Sequence, residues 1–113
     1  MAAIQEKQLF QVAPTGTTIA SAYSPGDNET AIIRSIYITE VAGNTPNFQI
    51  CVDDNGTTFT AATALYWNVV MVASTTVKVE TYIVMNNSSG NLAVRTSAAN
   101  EITFTGFGAL ITP

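Results

Sequence analysis

An all-β fold is what this sequence predicts: an antiparallel β-sandwich, jelly-roll-like, of about eight strands. Three observations predict it. Short runs of Val, Ile, Thr, Tyr and Phe are cut by Gly/Pro/Asn/Asp clusters. The runs recur at about 8–12-residue spacing, as sandwich strands do. No segment carries a sustained i, i+3, i+4, i+7 apolar stripe with helix caps. The chain has 113 residues, which suits a single domain over residues 1–113.

The elements follow in order. Gln8 to Ala13 opens the sheet, and Thr17 to Tyr23 follows "PTG". After the loop "SPGDNE" comes a long strand, Ala31 to Val41. Its alternation is expected to put Ile32, Ile36 and Ile38 on one face and Ile33 and Tyr37 on the other. "AGNTP" is a turn. Asn47 to Asp53 alternates cleanly, with Phe48, Ile50 and Val52 inward and Gln49, Cys51 and Asp53 outward. Residues 57–60 are expected to form a short return strand. Ala64 to Met71 and Thr76 to Met85 are the next strands, and "NNSSGN" is a tight loop. Leu92 to Ser97 and Ile102 to Ile111 finish the domain.

In the last strand Ile102 and Phe104 share one phase, and Phe107, Ala109 and Ile111 the other. A β-bulge at Gly106 would keep both sets on the core face. Close approach of a neighbouring subunit at Gly106 and Gly108 is the alternative. In Ala64 to Met71, Leu65, Trp67 and Val69 are expected on one face, and Tyr66, Asn68 and Val70 on the other. One face is core; the second is semi-apolar and suited to meeting another chain.

Composition narrows the function. The apolar fraction is 47%, but only 11% of residues are charged, where about 25% is usual. Such a chain is expected to hide surface from water by packing against copies of itself, the alternative being an extracellular β-domain solvated by Thr and Asn. Net charge is −4, and Lys7, Arg34, Lys78 and Arg95 are scattered. That gives no basic stripe for nucleic acid and no polybasic segment for a membrane. The opening residues MAAIQEKQLF lack the pattern of a signal peptide.

Catalytic readings fare poorly. His is absent, which removes the commonest general base and metal ligand. Cys51 is the one cysteine, so it has neither a disulfide partner nor an activating His. Asp53-Asp54-Asn55-Gly56 resembles a ligand loop at first sight. Its acids are adjacent, however, and adjacent strand residues point to opposite faces. Asn55-Gly56 instead suits a hairpin turn with positive φ. The remaining acids, Glu6, Asp27, Glu29, Glu40, Glu80 and Glu101, show no pairing suited to glycoside hydrolysis and are expected in solvent. Tyr66-Trp67 offers an aromatic platform for sugar, or, on the plainer reading, core and interface area. No catalytic, cofactor or metal residue is therefore assigned.

A resemblance adds to this. The sequence carries "IIRSIYITE", then "CVDDNGTTFT", "ALYW", "NLAVRTSAAN" and "EITFTGFGAL" in order between residues 30 and 111. This series of turn-and-strand motifs resembles small structural proteins of tailed-bacteriophage virions. The resemblance implies a β-sandwich made in a bacterial cytoplasm and carried on the particle. It implies a capsid decoration (cement) protein first, and a tail-associated or fibre-type protein second. The implied partners are the major capsid protein and copies of the chain itself, as a dimer or trimer. Residues 1–13 would serve as an extended N-terminal arm. The candidate interface residues are Phe10, Tyr37, Tyr66, Trp67, Gly106 and Phe107.

Overall fold

The computed structural model describes residues 3–113; Met1 and Ala2 lie outside the described residues. Among the described residues eight strands form: β1 (Ala3–Val12), β2 (Ala20–Tyr23), β3 (Thr30–Glu40), β4 (Asn47–Asp53), β5 (Ala64–Val70), β6 (Thr76–Met85), β7 (Asn91–Thr96) and β8 (Ile102–Thr112). They make two four-stranded antiparallel sheets, ordered β1-β8-β3-β6 and β2-β7-β4-β5. Every connection except β4–β5 crosses between the sheets, which is jelly-roll-like winding. The all-β sandwich expected from the sequence is the observed fold.

The core lies between the layers. Ile33, Ile36, Ile38, Phe104 and Ile102 from the first sheet meet Phe48, Ile50, Leu92 and Val94 from the second. Phe48 and Phe104 touch edge to face across the gap, with ring centroids 6.1 Å apart. Phe10 and Tyr23 bring β1 and β2 together at one side, centroids 6.2 Å apart. On the opposite side β5 and β6 are the sheet edges.

Three local expectations are corrected. In β3 the inward set is Ala31 and Ile33, then Ile36 and Ile38; Ile32 is only half-buried. The register slips at Arg34 against both neighbouring strands, so the parity of the strand changes there. In β8 no bulge forms at Gly106. Ile102, Phe104, Gly106 and Gly108 stay in one inward phase, and Phe107 faces out. The extra residues belong instead to the flanking strands, as Leu9 in β1 and Arg34 in β3. The glycines are needed within this chain. A Cβ at Gly106 would collide with the Phe10 ring, and one at Gly108 with the Ile32 carbonyl.

Residues 57–60 form no strand. They lead into a short 3₁₀ turn, Ala61–Thr63, capped by Thr60 and Thr63 side chains. Two bounds move by several residues, β1 beginning at Ala3, well before Gln8, and β2 at Ala20, after Thr17; the bounds of β3, β7 and the ends of β1, β5 and β8 shift by one residue.

The segment expected as an arm is β1. It pairs with β8 along its length, from Ala3↔Thr112 to Val12↔Phe104. Its polar half, "AIQEKQ", reads poorly as a strand because only one side of an edge strand is covered.

Candidate functional site

The candidate interface residues divide between inside and outside. Phe10 is buried, and its ring fills the space left by Gly106, which is buried as well. Tyr66 is half-buried against Phe48, centroids 6.1 Å apart. Trp67, next along β5, is 44% exposed. The two aromatics therefore form no common platform. A register slip accounts for the rest of β5. Tyr66 stands opposite Ile50 and Val69 opposite Phe48, with Asn68 at φ 52° between them. The expected faces of β5 are thus wrong beyond Trp67: Val69 joins the phase of Tyr66.

The slip turns Val70 outward, and much of β5 is left uncovered. Leu65, Trp67 and Val70 on β5 are exposed, and Val72 just beyond is 67% exposed. On β6, Tyr82 and Val84 are exposed on the outer face, and Val77 is 41% exposed at the open rim. Single exposed apolar residues are ordinary, but Leu65, Trp67, Val70 and Val72 follow one another along a single edge strand and its end, and such a concentration marks an interaction surface.

Tyr37 and Phe107 meet on the outer face of the first sheet. Their rings sit edge to face, centroids 5.6 Å apart, and Lys78 Nζ lies 5.8 Å from the Tyr37 centroid. With Gln8, Gln11, Ser35 and Thr105 they line a shallow concavity of about 600 Å³. Its polar members are neutral amides and hydroxyls.

The Asp53–Gly56 loop is a turn held by its own acid. Asp53 Oδ1 accepts from the Asn55 N–H at 3.2 Å, and Oδ2 from the Thr58 N–H at 2.9 Å. This is an Asx-type closure. Neither Asn55 nor Gly56 has positive φ, so the expected tight hairpin geometry is replaced by this longer loop. Asp54 faces elsewhere, sharing a polar depression with Asp27, Asn28, Asn86, Asn87 and Ser88.

Two groups on the outward phase of β4 are nevertheless buried. Cys51 and Gln49, expected outward, are both buried, because residues beyond β4 fold over that face. The Cys51 thiol lies 3.7 Å from the Thr60 carbonyl, and Gln49 donates to Asn68 Oδ1 at 2.7 Å. Burial pushes the Cys51 thiol up from its ordinary pKa, which disfavours the reactive thiolate.

Glu40, expected in solvent, is 2% exposed. Oε1 accepts from the N–H groups of Ser74 and Gly43, both at 2.8 Å, and Oε2 from Ala42 at 3.0 Å. Ser74 and Gly43 have positive φ, at 56° and 78°. The carboxylate thus ties the β3–β4 loop to the β5–β6 loop. The Ser74 bond above all, helped by Ala42, Gly43 and Asn44, holds its pKa below the ordinary carboxylate value despite desolvation. The available signal was parity: Ile36, Ile38 and Glu40 share one phase.

Comparison with known proteins yields only a distant structural similarity. No family model matches the chain, and no curated protein matches it. It is similar to a chain of infectious bursal disease virus, strain Gx, at 14% identity and a TM-score of 0.41 over 98% of its length. A chain of the Gt strain is similar at 15% identity and a TM-score of 0.42. The present chain spans about a third of those chains, 31% and 32% respectively.

Proposed function

We propose that this chain is a structural protein of a tailed-bacteriophage virion, acting as a capsid decoration (cement) protein without catalytic chemistry. The observation that carries the reading is the uncovered apolar run Leu65, Trp67, Val70 and Val72 along β5, on a chain with few charges. The resemblance of residues 30–111 to virion proteins agrees with it. Such a protein works by bridging. It seats this edge on major capsid subunits and on its own copies, so that separating neighbouring subunits exposes apolar surface to water. A contact of a few hundred Å² contributes on the order of several kcal/mol before entropy losses. Repetition over a shell multiplies that resistance. Mass spectrometry of purified particles, with copy number from a particle reconstruction, tests the reading. Hundreds of copies are expected; absence from particles would overturn it.

A second reading is a tail-associated or fibre-type protein that binds carbohydrate. One observation favours it: the concavity that joins Tyr37 and Phe107 to neutral amide and hydroxyl groups. Aromatic faces and neutral hydrogen-bonding groups suit sugar rings. Six or twelve copies per particle, with a glycan-array signal lost in Phe107→Ala, would favour it over the first.

A further inference from the structure

We infer that two copies of this chain pair through β6, antiparallel, about a two-fold axis centred on Val79. The inference deepens the self-association proposed above, and it is tested without any particle.

β6, Thr76–Met85, is an edge strand of ten residues, as long as β1 at the other edge of its sheet. Among the described residues its far side has no strand partner. An open edge of this kind is a template for another strand, and natural proteins blunt it with charge or irregularity. Lys78 and Glu80 are the charges on β6, both on the outer face and both well exposed; within the chain they pair with each other at 3.2 Å, an exposed contact that is worth little and is open to exchange with the same pair on another copy.

A two-fold closes an antiparallel pair only in registers where one residue faces its own copy. Centring on Val79 sets Lys78 of each strand directly opposite Glu80 of the other, twice. Moving the centre one residue either way sets Lys78 against Lys78 or Glu80 against Glu80. Those centres place like charges face to face, which is destabilising. The pattern of charges therefore selects one register. The same register places Val77, uncovered at the rim, opposite Thr81 of the other copy.

The other edges lack this property. β2 has only four residues. β5 is interrupted by Asn68 in the left-handed region. On β1, Glu6 and Lys7 are adjacent and so lie on opposite faces, where no two-fold register sets one against the other.

Sedimentation equilibrium of the full chain tests the pairing by charge exchange. The wild type is expected to dimerise, more weakly at high salt. K78E and E80K each replace two attractions with two repulsions and are expected to weaken the dimer roughly ten-fold or more. The double variant K78E/E80K restores opposite charges in the reverse sense and is expected to recover the dimer. Circular dichroism checks that all three variants keep the sheet signal. A monomeric wild type, a dimer insensitive to either single change, or a double variant no better than the singles would overturn the proposal. None of these results bears on whether the chain is carried on particles, so the two readings fail separately.

Discussion

β4 and β5 are neighbours in one sheet, with seven residues each, and they invert the usual relation of composition to burial. β4, "NFQICVD", is the more polar, yet Phe48, Gln49, Ile50 and Cys51 are all buried. β5, "ALYWNVV", is almost wholly apolar, yet Leu65, Trp67, Val69 and Val70 are exposed. Position explains the difference. β4 lies between β7 and β5, has the first sheet on one face, and has the loop after Asp53 on the other. β5 is an edge with one strand partner, and its register slip turns Val70 outward while Val69 takes the phase of Tyr66. A chain that stood alone would gain solubility by placing polar residues there. Apolar residues on an edge fit a surface that other protein covers.

The comparison can be broken or sharpened by substitution. The largest contrast is Ile50→Ala against Val70→Ala. The first is expected to cost about 2–5 kcal/mol by urea denaturation, through loss of buried contact and a residual cavity. The second is expected to fall within about 0.5 kcal/mol in the isolated chain. Equal costs would mean that β5 is covered within the chain, and the distinction would collapse.

Next is Gly106→Ala. The added methyl meets the Phe10 ring, so about 1–3 kcal/mol of destabilisation is expected. Combined with Phe10→Leu, the loss should fall short of the sum of the two single changes, since both act on one space. Strict additivity in denaturation curves would remove Phe10 as the reason for the glycine.

Glu40 gives a smaller, pH-dependent effect. Its folded pKa lies below the ordinary value of 4.5, so the unfolded chain binds the proton first as pH falls. The stabilisation is complete above that ordinary value and disappears as pH drops through the lowered folded value. Thermal melts of the wild type should therefore weaken below about pH 4.5, and Glu40→Gln should flatten that limb while lowering Tm by roughly 5 °C at neutral pH. An unchanged acid limb in the variant would show that the loop tie contributes nothing.

The smallest expected effect is Arg34→Ala. Its 2.9 Å ion pair with Glu6 is exposed on both sides, so a change below about 0.5 kcal/mol is expected by the same denaturation measurement.

Much of the architecture was legible in the residues, for a physical reason. β4 and the first half of β8 alternate with period two because one face of each meets the core. Turn clusters such as "AGNTP" and "NNSSGN" mark the chain reversals. What escaped was set by contacts between distant strands. The slip at Arg34 is silent in β3, where isoleucines occupy both phases. The fit of Phe10 to Gly106 joins residues far apart in sequence. Cys51 is covered by a Thr-rich loop held by its own side-chain hydrogen bonds, and Gln49 is tied to Asn68 of β5. The candidate surface was only half legible. Trp67 and the semi-apolar character of β5 pointed to it, while the slip at Asn68 that decides which residues project did not.

The central claim is that the β5 edge is covered by other protein in the particle. Carbene footprinting read by mass spectrometry measures this directly, comparing the isolated chain with the chain on purified phage particles. Heavy labelling of Leu65, Trp67, Val70 and Val72 in the isolated chain, and strong protection of these side chains on the particle, is the predicted result. Equal labelling of those four side chains in both states would contradict it.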